Sequence, residues 1–241
     1  ILILYGVRIE FLTNPLGGMI YIGYWGIPLT ILWIVAVTNT INLIDGLDGL
    51  AAGVSTIAVL TLFFVALQEG RVGTAILAIS LAGSSLGFLR YNFNPAEIFM
   101  GDTGAMFSGY ILASISIIGA LKSAAVVTVI VPLLALAIPI FDTIFAIVRR
   151  LYNNKPIGEA DHGHLHHRLL ALGLSHLQAV LIVYGISFIL GVIALFINGS
   201  SLHEALIMAG LVMTAIIAGF WRIGIFSVEL PAEGTSLENN I

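Results

Sequence analysis

The sequence predicts an all-α fold, a polytopic bundle of transmembrane helices, from its composition and from its long apolar segments. Hydrophobic residues make up 59% of the 241 residues and charged residues only 9%, whereas a soluble domain carries about 25% charged residues. The mean hydropathy is +1.08. At this length and hydropathy we expect a single membrane domain over residues 1–241 rather than two soluble domains.

Long apolar segments separated by short polar loops define the predicted helices in chain order. The opening residues, Ile1 to about Val7, are typical of the end of an apolar helix and predict a partial crossing. The later segments lie at about 24–44, 49–68, 72–90, 103–121, 124–148, 176–197 and 203–223. Most of them approach the ~20 residues that a helix needs to cross the hydrocarbon core. We predict about seven full spans plus one partial span, with Pro132 and Pro139 tolerated inside their helix.

Charge and cysteine content exclude several classes of function. The net charge of −4 is modest and acidic, which argues against nucleic acid as a partner. The chain has no cysteine, so disulfides and thiolate metal sites are excluded.

Basic residues are unequally distributed between alternate loops. Six of the nine lie on one side: Arg90, Arg149, Arg150, Lys155, Arg168 and Arg222. The other three are Arg8, Arg71 and Lys122. The positive-inside rule therefore places the first side in the cytoplasm. Most acidic residues and histidines fall on this same side, which favours an enzyme over a transporter with polar sites at mid-bilayer.

The first polar cluster is the stretch 39–50, NTINLIDGLDGL. Asn39 and Asn42 lie one helical turn apart, and Asp45 lies a further turn along. Burying amides and carboxylates at a membrane edge is costly, so we expect oxygen ligands that converge on a cation or a phosphate. Asp48 could equally be only the N-cap of the next helix.

The second cluster is FMGDTGAMFSGY, residues 99–110. Asp102 and Thr103 open an apolar helix, so N-capping is one interpretation. The glycines on either side also leave backbone N–H groups and a positive helix end beside a carboxylate. That arrangement suits a phosphate bridged by a divalent cation.

The third cluster is the predicted cytoplasmic loop 151–175, which contains ADHGHLHHRLL. Carboxylates and amides elsewhere suit Mg²⁺ or Mn²⁺, whereas imidazole prefers softer metals. We therefore interpret these histidines as phosphate contacts, the alternative being a basic loop lying on anionic headgroups. Asp142 lies apart, inside an apolar span and two turns before Arg149; pairing with a cation and a role in an active site are equally open for it.

Four motifs in this order and spacing resemble one family. NTINLIDGLDGLAAG, FMGDTGAMFSG, PIFDT and HLHHRLL are similar to those of the polyprenyl-phosphate N-acetylhexosamine-1-phosphate transferases. The histidine-rich loop resembles the branch that uses UDP-N-acetylglucosamine to begin teichoic acid, O-antigen (lipopolysaccharide) or enterobacterial polysaccharide synthesis. The phospho-N-acetylmuramoyl-pentapeptide transferases of peptidoglycan synthesis are the sister branch and the alternative.

The resemblance implies an activity in the bacterial cell membrane, with the active site on the cytoplasmic face and a possible homodimer. Undecaprenyl phosphate attacks the β-phosphate of a UDP-N-acetylhexosamine, and UMP leaves in a reaction that requires Mg²⁺. Asp45, Asp48 and Asp102 match catalytic acids, and Asp102 with Asn42 matches the metal site. The implied substrate-binding residues are Asn39, Asn42, His164, His166, His167 and Arg168.

The resemblance also implies a difference from the family. The family carries an Asp-Asp motif upstream of the helix that begins this chain, so we expect that N-terminal helices are missing and that the 241 residues alone are weakly active or inactive. Two other classes compete with a transferase. A membrane cation transporter would use Asp45, Asp102 and Asp142 as a relay, and a non-catalytic scaffold would leave the polar motifs unexplained.

Overall fold

A computed structural model describes residues 2–13, 19–120, 127–152, 154, 156 and 163–222. In this part of the chain helices predominate. The strands found there are β1 (Phe11–Thr13) and β2 (Met19–Tyr21), an antiparallel pair in which Phe11 is opposite Tyr21. The predicted all-α fold is therefore confirmed, with a small hairpin that the apolar pattern did not predict.

The described α-helices follow one another with short connections. They are α1 (Gly26–Leu43), α2 (Leu50–Gln68), α3 (Val72–Asn92), α4 (Gly101–Ala120), α5 (Val127–Ala135), α6 (Ala137–Tyr152), α7 (Leu165–Ala171), α8 (His176–Asn198) and α9 (Leu202–Arg222). Two short 3-10 helices, Leu2–Tyr5 and Gly23–Trp25, precede α1.

Five of the described helices are long and apolar enough to cross a membrane. They are α1 with its preceding 3-10 turn, α2, α3, α8 and α9. The chain is thus a multi-pass membrane protein, and the count of about seven full spans stays a prediction.

The predicted span 124–148 is divided into two helices at Leu136 in its described part, and its crossing of the membrane as one span stays a prediction. α5 ends at Ala135, and α6 begins at Ala137 and continues to Tyr152. Pro139 has no N–H to donate to the carbonyl of Ala135, so one bond of the helical ladder is missing there. The N–H groups of Leu136 and Ile140 still donate to the carbonyls of Pro132 and Leu136.

The opening residues form a short helical turn, and the predicted partial crossing of the membrane stays a prediction. Leu2–Tyr5 is a single 3-10 turn, and Gly6 adopts a left-handed φ of 80°. The N–H groups of Gly6 and Val7 donate to the carbonyls of Ile3 and Leu2, which closes the turn. A glycine at this φ terminates helical structure without a steric penalty.

α2 lies at the centre of the bundle and packs against α3, α4, α5 and α8. α1 packs against α4, where a Cβ atom on Gly109 would lie 2.8 Å from the Cα of Thr38. Small residues allow membrane helices to approach this closely. Because α2 is central, the connection between α1 and α2 lies in the middle of one end of the bundle.

Candidate active site at one end of the bundle

The connection between α1 and α2, residues 44–49, is here called the acidic segment because it contains Asp45 and Asp48. Gly49 ends it with a φ of 80°, a conformation that favours glycine. Its N–H donates to Oδ1 of Asn92 at 3.1 Å, and its carbonyl accepts from the hydroxyl of Tyr184. α3 and α8 therefore hold both sides of this residue.

Asn92 connects the acidic segment to the start of α4. Its side chain is buried, Oδ1 accepts from Gly49, and Nδ2 donates to the carbonyl of Ile98 at 2.9 Å. Asp102 lies four residues after Ile98, in the first turn of α4. One amide thus ties together the two stretches that carry the predicted acidic residues.

Asp48 is half-buried, and its carboxylate also contacts the stretch between α3 and α4. Oδ2 accepts from Nδ2 of Asn94 and from the N–H of Ala96, both at 3.1 Å. The N-cap of α2 is Gly49, without a side-chain cap bond. The alternative that Asp48 only caps the next helix is therefore wrong.

Asp45 and Asp102 lie close enough to interact electrostatically. Asp45 is half-buried at the end of α1, and Asp102 is exposed in the first turn of α4. Burial, and secondly the negative charge of Asp102, raise the pKa of the Asp45 carboxyl. Each negative charge disfavours ionisation of the other carboxyl group, so a cation bound between the two carboxylates would be stabilised.

Asn42 adds a third oxygen, and the set suits the implied metal. Its Oδ1 is buried and has no hydrogen-bond partner, which is costly unless a ligand satisfies it. Amide and carboxylate oxygens are the donors that Mg²⁺ and Mn²⁺ prefer. Among the described residues no group of three or more acidic or histidine side chains forms a complete site, and Mg²⁺ usually takes its remaining ligands from water and substrate phosphates.

Asn39 is the predicted substrate-binding residue that the structure does not bring to this cluster. It is exposed, and its Nδ2 donates to the carbonyl of Val35 at 2.9 Å, one turn back in its own helix. Its implied role stays a prediction.

The histidine segment, residues 163–168, comprises the described end of the third cluster and the start of α7. Asp142 of α6 anchors it with both carboxylate oxygens. Oδ2 lies 2.8 Å from Nδ1 of His164, and Oδ1 accepts from the N–H of Leu165 at 2.7 Å. Glu159, Asp161 and His162 of the same loop lie outside the described residues.

His166 reaches from this segment to the acidic segment. It is only 3% exposed, and its Nε2 has no hydrogen-bond partner. A Cβ atom on Gly46 would lie 2.4 Å from that nitrogen. Burial, then the neighbouring His167, lower the pKa of His166 to about 4 against the opposing effect of Asp142, and His164 and His176 lower it slightly further. At neutral pH this imidazole is uncharged.

The other two predicted contacts of the histidine segment are also near the protein interior. The ring of His167 lies 4.2 Å from that of His166. Arg168 is buried, and its Nε donates to the carbonyl of Gly163 at 3.2 Å. This burial argues against the alternative of a loop lying on lipid headgroups.

Three contributors to the site were not predicted from the sequence. Asn92 and Tyr184 hold Gly49, and Nε2 of His176 lies 3.4 Å from the backbone oxygen of Asp48. Asn92 could have been identified from the sequence as a polar residue at the end of an apolar span. A single tyrosine within the long apolar helix α8 gives no such signal.

The fold and this cluster define a class, a polytopic helical membrane protein with an acidic and histidine-rich site at one end of its bundle. Residues 1–120 match the family described as glycosyl transferase family 4. The chain belongs to this family.

Curated relatives agree with this assignment. The chain is 46% identical over 202 residues to a probable undecaprenyl-phosphate N-acetylglucosaminyl 1-phosphate transferase of Bacillus subtilis, which covers 83% of this chain and 56% of the relative. It is 37% identical over 206 residues to a decaprenyl-phosphate N-acetylglucosaminephosphotransferase of Mycobacterium leprae, covering 76% of this chain and 52% of the relative. The chain thus spans about half the length of these relatives.

A more limited similarity connects the chain to the sister branch. It is 44% identical over 113 residues to a phospho-N-acetylmuramoyl-pentapeptide-transferase of Clostridium botulinum, covering 46% of this chain and 33% of the relative.

Proposed function

We propose that the protein transfers an N-acetylhexosamine-1-phosphate, specifically N-acetylglucosamine-1-phosphate, from its UDP-sugar to undecaprenyl phosphate and releases UMP. An oxygen of the lipid phosphate forms a bond to the β-phosphorus, and the bond from that phosphorus to the oxygen of UMP breaks. The observation that carries the proposal is the proximity of Asp45 to Asp102, together with the buried, unpartnered Oδ1 of Asn42, the residue whose backbone carbonyl accepts from the N–H of Asp45. The names of the relatives support a polyprenyl phosphate as acceptor.

The site lies where a membrane-bound substrate and a water-soluble substrate could both reach it. A lipid phosphate stays at the membrane surface, whereas a nucleotide sugar approaches from water. The acidic segment, the start of α4 and the histidine segment meet at one end of the bundle, where both can reach them. We place this end on the cytoplasmic face of a bacterial cell membrane, as the distribution of Lys and Arg predicts.

The residues around the acidic segment would hold a divalent cation. Asn42 and Asp102 would provide its protein oxygens, and Mg²⁺ or Mn²⁺ would neutralise charge on the phosphates of the substrates. Phosphoryl transfer depends mostly on positioning and on such charge neutralisation, so the protein needs few further groups.

The other side chains have separate tasks in this proposal. Asp45, which lies close to Asp102, would orient the lipid phosphate or accept its proton. Asp48 holds the acidic segment against the stretch before α4 through its two hydrogen bonds. His166, His167 and Arg168 face the donor, with the uncharged imidazole of His166 offering Nε2 to a phosphate or sugar oxygen.

Release of UMP tests the proposal. Membranes from cells expressing the full-length protein, with this chain and the N-terminal helices expected before it, should form UMP and lipid-diphospho-N-acetylglucosamine when given UDP-N-acetylglucosamine, undecaprenyl phosphate and Mg²⁺. Asp102→Ala should abolish the reaction. Glu204→Gln is the matched control, because Glu204 is an exposed acid in the first turn of α9, far along the chain from the site. UMP formation that persists unchanged in Asp102→Ala would refute the proposal.

The same assay separates the sister reaction. The similarity to the Clostridium botulinum relative favours phospho-N-acetylmuramoyl-pentapeptide transfer as the second candidate. Offered in parallel, UDP-N-acetylmuramoyl-pentapeptide should give no UMP above background. The resemblance further implies the first membrane step of a cell-envelope polysaccharide and a homodimer.

A further inference from the structure

Asp142 is a buried carboxylate for which the proposed reaction has no direct use. It is 2% exposed and lies in the second turn of α6. A buried carboxylate is costly unless its oxygens are hydrogen-bonded. Both oxygens are bonded to the histidine segment, one to the side chain of His164 and one to the backbone of Leu165.

These two bonds fix the segment at the point where α7 begins. Leu165 is the first residue of α7 and His164 is its N-cap, and His164 makes no side-chain cap bond of its own. Asp142 accepts the free N–H at this helix start in place of a cap. It also holds the His164 ring through Nδ1, which sets the ring orientation and leaves Nε2 pointing away.

The contact continues from His164 to the acidic segment. The rings of His164 and His166 are parallel, 5.9 Å apart with an interplanar angle of 3°. His166 in turn lies against Gly46, the neighbour of Asp45. The orientation of His164 therefore shapes the surface against which His166, a ring that contacts the acidic segment, is packed.

The depth of Asp142 explains why such an attachment matters. α6 continues ten residues past Asp142 to Tyr152, a rise of about 15 Å. The bonds of His164 and Leu165 to Asp142 therefore hold the histidine segment beside the second turn of α6 and not at its C-terminal end.

We propose that Asp142 is a positioning residue that docks the histidine segment against the acidic segment. The inference rests on the proposed function for its catalytic consequence, but the docking itself does not depend on any activity. Asp142 acts through His164 and Leu165 and touches no reacting atom.

The docking is tested by chemical modification of the histidines in membranes. Diethylpyrocarbonate labels accessible uncharged imidazoles, and mass spectrometry assigns the label to each residue. His166 should be protected in the wild type and labelled about tenfold faster in Asp142→Ala, because loss of a charged buried hydrogen bond is of that order. His203 is exposed and serves as the internal reference, and Thr143→Val is the matched control next to Asp142.

The catalytic consequence is tested by steady-state kinetics. Asp142→Ala and His164→Ala should each raise KM for UDP-N-acetylglucosamine and lower kcat, with KM for undecaprenyl phosphate unchanged. Because Asp142 acts through His164, the double variant should lose no more activity than the worse single variant. Asp142→Asn, which keeps an acceptor for Leu165, should retain more activity than Asp142→Ala, and Thr143→Val should match the wild type.

The outcomes separate this inference from the proposed function. Unchanged labelling of His166 in Asp142→Ala would overturn the docking, and faster labelling with normal kinetics would overturn the positioning role. A wild type that forms no UMP would refute the proposed function, while the labelling result would still decide whether Asp142 docks the segment.

Discussion

The imidazole of His166 lies directly against the backbone of Gly46, so that a Cβ atom at position 46 would be 2.4 Å from Nε2. This contact joins two segments that are separated by more than a hundred residues of sequence. It places the uncharged Nε2 of His166 against Gly46, the residue that follows Asp45. Its geometry makes the site sensitive to a single methyl group.

Gly46→Ala should therefore impair transfer. The added methyl must displace His166, a buried ring without a flexible end, and a shift of about 1 Å can cost on the order of a hundredfold in rate. We expect kcat/KM for UDP-N-acetylglucosamine to fall by about that factor in a membrane assay. Gly185→Ala in α8 is the control, since nothing lies within 4 Å of a Cβ atom there. Wild-type kinetics in Gly46→Ala would disprove the close contact.

Stability should depend on pH through His166. Its pKa falls from the ordinary histidine value of 6.5 to about 4 in the folded protein, so the unfolded chain binds more protons between these pH values. The free energy of unfolding therefore keeps its full value above pH 6.5. It decreases by at most about 3 kcal/mol as the pH falls towards 4, because protonation favours the unfolded chain. Thermal unfolding in detergent at several pH values measures this. His166→Gln should flatten the dependence over this range, and an unaltered profile would contradict the assigned cause.

Asn92→Ala should destabilise the protein and separate the acidic stretches. The change leaves the N–H of Gly49 and the carbonyl of Ile98 without their partner, and loss of the bond to the buried N–H of Gly49 costs about 1–3 kcal/mol. Unfolding in detergent should show the loss, and transfer activity should fall with it. Asn198→Ala, which removes only a solvent-exposed hydrogen bond to Gln68, should stay within about 0.5 kcal/mol of the wild type. Equal stability of the two variants would contradict the role of Asn92.

Which residues form the site could be predicted from the sequence better than which of them contact one another. Asp45, Asp48 and Asp102 could be assigned to one end of the bundle because each lies at the end of an apolar segment, and segment ends alternate between the two membrane faces. The link from Asp142 to His164 could not be predicted, because it depends on how deep α6 lies and on the path of the returning chain. The break between α5 and α6 was missed since membrane helices often tolerate proline, and sequence does not show whether neighbours satisfy the freed carbonyl.

Exchange of labelled UMP into UDP-N-acetylglucosamine tests the central claim most directly, because it requires the reversible phosphoryl transfer itself. Membranes that contain the wild-type protein, undecaprenyl phosphate and Mg²⁺ should incorporate label, Glu204→Gln should match them, and Asp102→Ala should incorporate none. Incorporation by Asp102→Ala at the wild-type rate would contradict a site built on Asn42, Asp45 and Asp102.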